Sequence, residues 1–488
     1  MLAISGYATP PSEQQKNCNF FVMYVTVPLA LLGSIPVILM AYWFLSPARA
    51  ATLAFAFGTC FLPNAEFPVT GLPDFSKSMM LSLSSLLGIL AFHPRLLSLF
   101  QPSIVDVAAL SFCISPFASS LSNGLGIYDA VSSTLNATIT FGIPYGVGRL
   151  MLNSAADVEQ VTGAILACGL IYAPLCLWES VQGPHLHRLV YGFHAQDMDQ
   201  AIRWGGWRPV VFMRHGLQAS LWMCCCTIIG FSWVWLGRAK GITLALHLVV
   251  VVLIATAFLW MRSMGAYILA SVGCAAVLLS QRLGVALPQV ALMAAIAIFL
   301  PLRISGVLTG SDAVDWLRTN VSVKRAQSLE FRLDNESMLI EKAMQRPIFG
   351  WGGWGRNRVY NSQGEDLSVT DGLWIIELGT HGLVGLITLF SLLLSGSIAF
   401  VCASSRLAAN LSKVQFAGAA GWSIAAILCA IDAIPNAMFV PVITLTTGGL
   451  VTLSMPGCCS ANRTAVLVAC DATYGRGTEE GWYSLDSQ

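Results

Sequence analysis

The sequence predicts an all-α, polytopic integral membrane protein with about 12–13 transmembrane helices. Three observations predict it. Of 488 residues, 56% are hydrophobic and only 10% charged, against roughly 25% charged in a soluble domain. The mean hydropathy is +0.69. The apolar residues fall into runs, most of them near the length of about 17–25 residues that spans a bilayer. So little charge cannot keep that much apolar surface dissolved. An ordinary cytosolic enzyme, a disordered chain and a collagen-like repeat are excluded. A net charge of +1 lacks the basic footprint of a nucleic-acid binder.

Taken in order, the apolar runs are 20–45, 50–63 (short), 77–92, 103–121, 128–148, 159–178, 209–237, 241–260, 264–281, 285–302, 371–401, 415–432 and 438–455. The chain is polar through Asn17, and the first run carries no cleavage pattern. Arg49, Arg95, Arg149, Arg238 with Lys240, Arg282, and Arg406 with Lys413 recur at alternate junctions and read as cytoplasmic. Segments 64–76, 122–127, 179–208, 261–263, 303–370 and 433–437 then face outside. The two long ones fall on the same side, which supports the assignment. Thirteen spans would place the N-terminus outside; a re-entrant or split early run would make the count even. The organisation reads as a transmembrane bundle over 1–302 with an outer loop at 179–208, a large outer loop at 303–370, C-terminal helices over 371–455, and a polar cytoplasmic tail at 456–488. The absence of a visible internal repeat weakens an inverted-repeat transporter.

Most of the 14 cysteines, such as Cys113, Cys168, Cys274 and Cys429, lie inside apolar runs. Cys224-Cys225-Cys226 follows a predicted helix start. No Cys/His spacing suits zinc, and the residues read as small buried hydrophobes. Cys458-Cys459, past the last run, is a weak palmitoylation signal.

A third of the charges lie in 303–370, nine basic and eight acidic. Leu329, Leu333, Ile340 and Met344 recur at helical spacing and predict a helix from Ser322 to Gln345. Pro347 and the glycine-rich Gly350–Gly355 end it. It reads as an amphipathic helix on the membrane face or as a plain solvated loop helix.

Within this frame a few charges are candidates for chemistry. Arg262 lies between two apolar runs with almost no loop. It is a snorkelling anchor or an arginine held for an anion, since its planar fork matches phosphate oxygens. Arg208-Pro209 opens the seventh span, with Arg214 and His215 one to two turns inside. These bind a ligand, or form an interfacial belt with Trp204 and Trp207. Arg325 and Arg332 are seven apart on one face of the loop helix. Arg356 and Arg358 follow the glycine-rich turn, which lacks the Gly-Lys-Ser/Thr of a Walker A loop. Asp371 precedes a long apolar run, as a helix cap or a functional carboxylate. Glu377, inside that predicted span, requires an arginine partner or a proton. His381 follows four residues later.

From Arg332 through Gly385 the chain resembles the C-terminal region of the O-antigen ligase and lipid-linked polysaccharide polymerase family. The pattern of that family is an arginine on a loop helix, a Pro-x-x-Gly-x-Gly turn, a histidine at a span start, and a Gly-x-x-Gly about eleven residues on. Here these read Arg332, Pro347-Ile348-Phe349-Gly350-Trp351-Gly352, Asp371 and Gly382-Leu383-Val384-Gly385. Arg262-Ser263 is similar to the family's second arginine motif. The segments 61–77 and 208–216 resemble a branch of these proteins. The likeness covers roughly residues 50–450. It departs at Asp371, where the family has histidine, and at Gly372, where it has asparagine.

The resemblance implies an inverting, metal-independent glycosyl transfer that needs no cofactor. The donor is a glycan on undecaprenyl pyrophosphate; the acceptor is a hydroxyl on a lipid or glycan. The enzyme would sit in the bacterial inner (cytoplasmic) membrane with its active site and the loop 303–370 facing the periplasm. Arg262 and Arg332 would stabilise the pyrophosphate leaving group. Asp371 would orient or deprotonate the acceptor. Arg208, Arg214, His215, Arg325, Arg356 and Arg358 would bind substrate. A carboxylate is ordinarily a weaker base than imidazole, so His215 and His381 stay open as the base. A polymerase of lipid-linked exopolysaccharide units differs only in the acceptor. A polyprenyl-linked glycan flippase or other transporter would instead line a central path with charge.

Overall fold

The computed structural model describes residues 13–67, 74–152, 154–237 and 241–456. They form α1 (Glu13–Phe44), α2 (Pro47–Phe61), α3 (Lys77–Phe92), α4 (Asp106–Ser122), α5 (Ile127–Ala137), α6 (Ile143–Met151), α7 (Ala155–Gln182), α8 (Leu186–Tyr191) and α9 (Met198–Ala201). There follow α10 (Gly216–Gly237), α11 (Gly241–Leu259), α12 (Met264–Leu283), α13 (Ala286–Ile304), α14 (Ser311–Asn320), α15 (Val323–Met344), α16 (Leu373–Asn410), α17 (Lys413–Asp432) and α18 (Pro441–Leu453). Two small antiparallel hairpins complete it: β1 (Glu66–Phe67) with β2 (Phe75–Ser76), and β3 (Ile202–Arg203) with β4 (Gly206–Trp207). Arg238, Lys240, Gly71-Leu72-Pro73, Cys458-Cys459 and the tail beyond Pro456 lie outside the described residues.

Among the described residues, eight helices are long and apolar enough to cross a membrane: α1, α7, α10, α11, α12, α13, α16 and α17. The all-α polytopic architecture therefore holds. The other expected runs form shorter pieces. Those at 77–92, 103–121 and 438–455 are the short apolar helices α3, α4 and α18. The run at 50–63 is α2. The expected span at 128–148 is a continuous helical run in which α5 passes through a π turn at Thr138–Gly142 into α6. Pro144 follows the π turn directly, and this irregularity in the ladder accommodates its missing N–H.

Helix starts follow side-chain chemistry. Ser412 and Gln415 form a capping box on α17, and Ser154 and Asp157 one on α7. Ser322 caps α15, so the observed helix falls within a residue of the expected Ser322–Gln345. Burial then sorts the spans. The spanning window of α17 is 72% buried and that of α11 only 17%. In α17 the small residues Ala417-Gly418-Ala419-Ala420-Gly421 are all buried and admit α10 closely. In α11 the residues Ile242, Leu246 and Val249 stay exposed, an apolar surface suited to lipid. Packing also crosses the chain order, with α4 and α18 against α16, and α6 against α18. At that crossing Arg149, one of the expected cytoplasmic markers, is buried. Its Nε lies 2.7 Å from Asp106 of α4, and an Nη donates to Gln101 O at 2.6 Å.

One break organises the opposite end. Within α16, Gly382 leaves helical geometry at φ 68, ψ −162. The broken ladder is repaired by the turn at 347–352. Trp351 N donates to Gly379 O (2.9 Å) and Gly352 N to Thr380 O (2.9 Å). In return Leu383 N donates to Pro347 O (2.7 Å) and Val384 N to Ile348 O (3.2 Å). Irregular backbone inside a bundle persists only when its polar groups are paired in this way. From α4, Ser119 Oγ donates to Thr380 O at 2.7 Å, and Asn123, just past the end of α4, donates through Nδ2 to Gly350 O at 2.9 Å. Trp351 pins the turn to α15: its indole donates to Lys342 O (2.8 Å), and the Lys342 ammonium lies 3.8 Å from a ring centroid. The Pro-x-x-Gly-x-Gly turn and the Gly-x-x-Gly are thus two halves of one joint.

Gly350 has φ +66, and a Cβ there would lie 2.6 Å from Gly382 N and from Thr380 O. Gly350→Ala is expected to cost about 1–3 kcal/mol from conformation alone, with overlap added. It should lower the melting temperature and speed proteolysis between residues 345 and 370. Gly353→Ala, where a Cβ meets nothing within 4 Å, is the control. Equal melting of the two variants would reject the joint.

Candidate functional site

Arg332 and Asp371 meet. Arg332 Nε lies 3.4 Å from Asp371 Oδ2, both side chains partly exposed. Two anchors hold α15 in that position. Buried Arg303, at the end of α13, donates to Leu333 O (2.8 Å) and pairs with Glu336 (3.2 Å). Burial raises the Glu336 carboxyl and Arg303 pulls it back. Asn335 Oδ1 accepts from Val369 N at 3.0 Å, which ties the stretch before Asp371 to α15.

Asp371 is not a helix cap. No side chain caps α16. Its first N–H groups instead reach the end of α17: Leu373 N donates to Asn436 O (3.2 Å) and Trp374 N to Ala433 O (3.1 Å). Asp371 is thereby left to face Arg332.

The connector 208–215 is a turn, not the opening of a span. The α10 helix begins at Gly216, so Arg214 and His215 lie before it rather than one to two turns inside. A residue that sequence reasoning missed builds this turn. Glu179, fully buried at the end of α7, accepts from Val210 N (2.9 Å), Val211 N (2.7 Å) and Leu186 N (2.9 Å). Val211 has φ 54, a left-handed conformation that strains a β-branched residue. Two charge-assisted bonds at that peptide hold it. The one sequence signal was a carboxylate in the apolar stretch Leu177-Trp178-Glu179.

The turn buries Arg208 to 6% exposure, and its Nη2 lies 3.5 Å from Arg262 O. Burial, then the charges of Arg203 and Arg332, push Arg208 down to about 10. Arg262 also has positive φ, 49. Its N–H donates to the Tyr267 hydroxyl (2.9 Å), which donates to Leu259 O (2.6 Å). Its guanidinium lies on Gly206 of the β3–β4 hairpin, where a Cβ would sit 1.2 Å from Nη1. Trp204 and Gly205, at φ 51 and 72, form the tight reversal that presents Gly206. Trp204 packs on Tyr267 with centroids 6.0 Å apart. Arg208 Nε and Arg262 Nη1 are both buried with no hydrogen-bond acceptor among the described residues. Buried donors are nearly always paired, and these two guanidinium N–H groups are exceptions.

His215 has its Nδ1 engaged by Leu217 N (3.0 Å), which leaves the proton of the neutral ring on Nε2, 3.2 Å from Gln200 Oε1. Burial first, then Arg208, Arg203 and Arg214, push this histidine down to about 4. The ring is neutral at neutral pH but has no free lone pair to act as base. His381 is engaged differently: its Nδ1 lies 2.6 Å from Glu377 Oε2. The partner of Glu377 is thus this histidine and not an arginine.

The remaining expected binders do not join the cluster. Arg325 stays exposed two turns before Arg332 and forms no ion pair among the described residues. Arg356 Nη1 lies 3.5 Å from Asn123 O, beside the joint. Arg358 pairs with Asp366 and holds that carboxyl below its ordinary range. Its Nη2 also donates to Thr370 Oγ1 at 3.4 Å, so it closes the 358–370 loop. Compared with known proteins, the chain matches no family model and no curated protein.

Two outcomes are expected. Gly206→Ala should displace the Arg262 guanidinium, so phenylglyoxal modification of Arg262, followed by mass spectrometry, should be faster than in the parent. Unchanged labelling would show that Gly206 does not cover it. The second concerns acid. Burial also pushes His187 down to about 4. For both histidines the unfolded chain takes up, near an ordinary pKa of about 6.5, a proton that the folded chain refuses. Stability should fall as pH drops from about 6.5 to about 4 and then level. Melting against pH should show the slope, and His215→Asn, which keeps an acceptor for Leu217 N, should flatten it. A slope as steep in His215→Asn would place the effect elsewhere.

Proposed function

We propose that the chain is a membrane glycosyltransferase of the O-antigen ligase and polymerase type. It would move a glycan from undecaprenyl pyrophosphate to a hydroxyl acceptor at the periplasmic face of the bacterial inner membrane. The observation that carries this reading is the packing of Arg208 against Arg262, with two buried guanidinium N–H groups left for an anion, together with the Arg332–Asp371 pair.

The chemistry follows from that arrangement. The acceptor oxygen attacks the anomeric carbon, and the bond from that carbon to the pyrophosphate oxygen breaks. The bonding pair leaves with the pyrophosphate, and the acceptor proton passes to the Asp371 carboxylate. Attack opposite the leaving group inverts the anomeric centre. Charge grows on the pyrophosphate oxygens as the bond breaks. Fixed arginines aimed there stabilise the transition state more than the ground state. Arg262 and Arg208 are held by buried backbone contacts, which limits reorganisation. Arg332 orients Asp371 and adds positive charge. With the Nδ1 of His215 already engaged, Asp371 is the better placed base of the two.

Arg262→Ala and Arg332→Ala are each expected to lower glycan transfer by roughly a hundredfold or more, the cost of one fixed donor at a developing anion, with membrane expression intact. Asp371→Asn should lower turnover strongly and Asp371→His should partly preserve it. Transfer is measured with membranes and lipid-linked glycan; near-normal product from both arginine variants would sink the assignment.

A further inference from the structure

We propose that the cavity around Arg214 binds a sugar residue carrying an anionic group, a carboxylate or a phosphate. The cavity has two lobes that share Arg214 and Met438, about 390 Å³ and about 290 Å³. Small-molecule sites run from roughly 300 to 1,000 Å³. Gln196, Gln200 and His215 line the first lobe. Thr59, Asn64, Lys77 and Asn136 line the second.

Charge points to the ligand class. Lys77 and Arg214 face the second lobe, and neither forms an ion pair among the described residues. Among the described residues the Lys77 ammonium has a single long hydrogen bond, 3.4 Å to Thr59 O. Two like charges on one cavity repel each other. An anion between them replaces that repulsion with charge-assisted bonds. The carboxylates that line the lobes, Glu66 and Asp197, are exposed at the rim.

Unpaired polar atoms point to hydroxyls. Thr59 is 1% exposed, and its Oγ1 has no hydrogen-bond partner among the described residues. Gln196 Nε2 is buried and equally without one among those residues. Each lobe therefore holds a buried group that lacks a partner. A sugar hydroxyl both donates and accepts, so it satisfies either kind. A free phosphate meets the charges but supplies no neutral hydroxyl ring.

The turn held by Glu179 joins this cavity to the arginine cluster, with Arg208 at one end and Arg214 and His215 at the other. A glycan whose pyrophosphate or acceptor end lies at Arg208 would place a neighbouring residue here. That placement rests on the proposed function; the recognition of acidic sugars does not.

The test is calorimetric binding to the full-length protein in nanodiscs, with glucuronate, glucose 6-phosphate, glucose and inorganic phosphate as probes. Both acidic sugars should bind, and glucose should bind at least about tenfold more weakly. Lys77→Met and Arg214→Gln should each weaken glucuronate by roughly tenfold or more, the loss of one charged hydrogen bond. Thr59→Val should weaken both acidic sugars. Arg332→Ala should bind like the parent. If Lys77→Met fails to fold, Arg214→Gln carries the charge arm, because its side chain is exposed. Equal binding of glucose, parent-like binding in the charge variants, or phosphate binding as tight as both acidic sugars would overturn the site. No glycan transfer by the parent alongside normal glucuronate binding would reject the proposed function and keep the cavity. Transfer by the parent with no acidic-sugar binding would keep the function and reject the cavity.

Discussion

A helix that breaks inside a bundle frees N–H and C=O groups with no water at hand to receive them. The break at Gly382 in α16 is possible because the turn at 347–352 enters it and pairs those groups in both directions. This exchange is what fastens the charged loop to the bundle. It fixes the C-terminal end of α15 through Trp351, Lys342 and Arg346, and it draws in Asn123 just past α4. At the far side, Arg303 and Asn335 fix the middle of α15. A helix held at both points presents Arg332 to Asp371 with little freedom left to lose on binding.

The same economy governs the arginines. A guanidinium near a bundle interior is costly unless something anionic meets it. Arg149 and Arg303 meet that demand inside the protein, through Asp106 and Glu336, and act as structural ties. Arg208 and Arg262 do not. They are positioned by backbone geometry, a strained turn around Glu179 and a hairpin glycine, and among the described residues keep N–H groups unpaired. Equal charges thus divide into ties and candidates by whether the fold supplies the counter-charge.

Much of this was legible in the chain. The loop helix was expected at Ser322–Gln345 and runs Val323–Met344, because its apolar period and its Ser322 cap agree. Arg332 and Asp371, singled out on separate grounds, meet at 3.4 Å. Other features were not legible. Gly206 carries no signal beyond a Gly-Gly reversal, since its role depends on a side chain 56 positions away. Arg214 and His215 read as helical because the apolar run starts at Pro209; a carboxylate 30 residues earlier turns that segment instead. Arg325, Arg356 and Arg358 shared the charge pattern of Arg332, and only contacts separate them.

Composition and apolar periodicity by themselves determined the membrane architecture, the loop helix and the short set of charges worth attention. These follow from local rules: transfer of apolar side chains from water, and backbone capping within a turn of helix. Tertiary structure alone decided which charges are paired, where helices break, and which residues from distant parts of the chain share one cluster. Those outcomes depend on desolvation and on hydrogen-bond partners far apart in sequence, which no local pattern encodes.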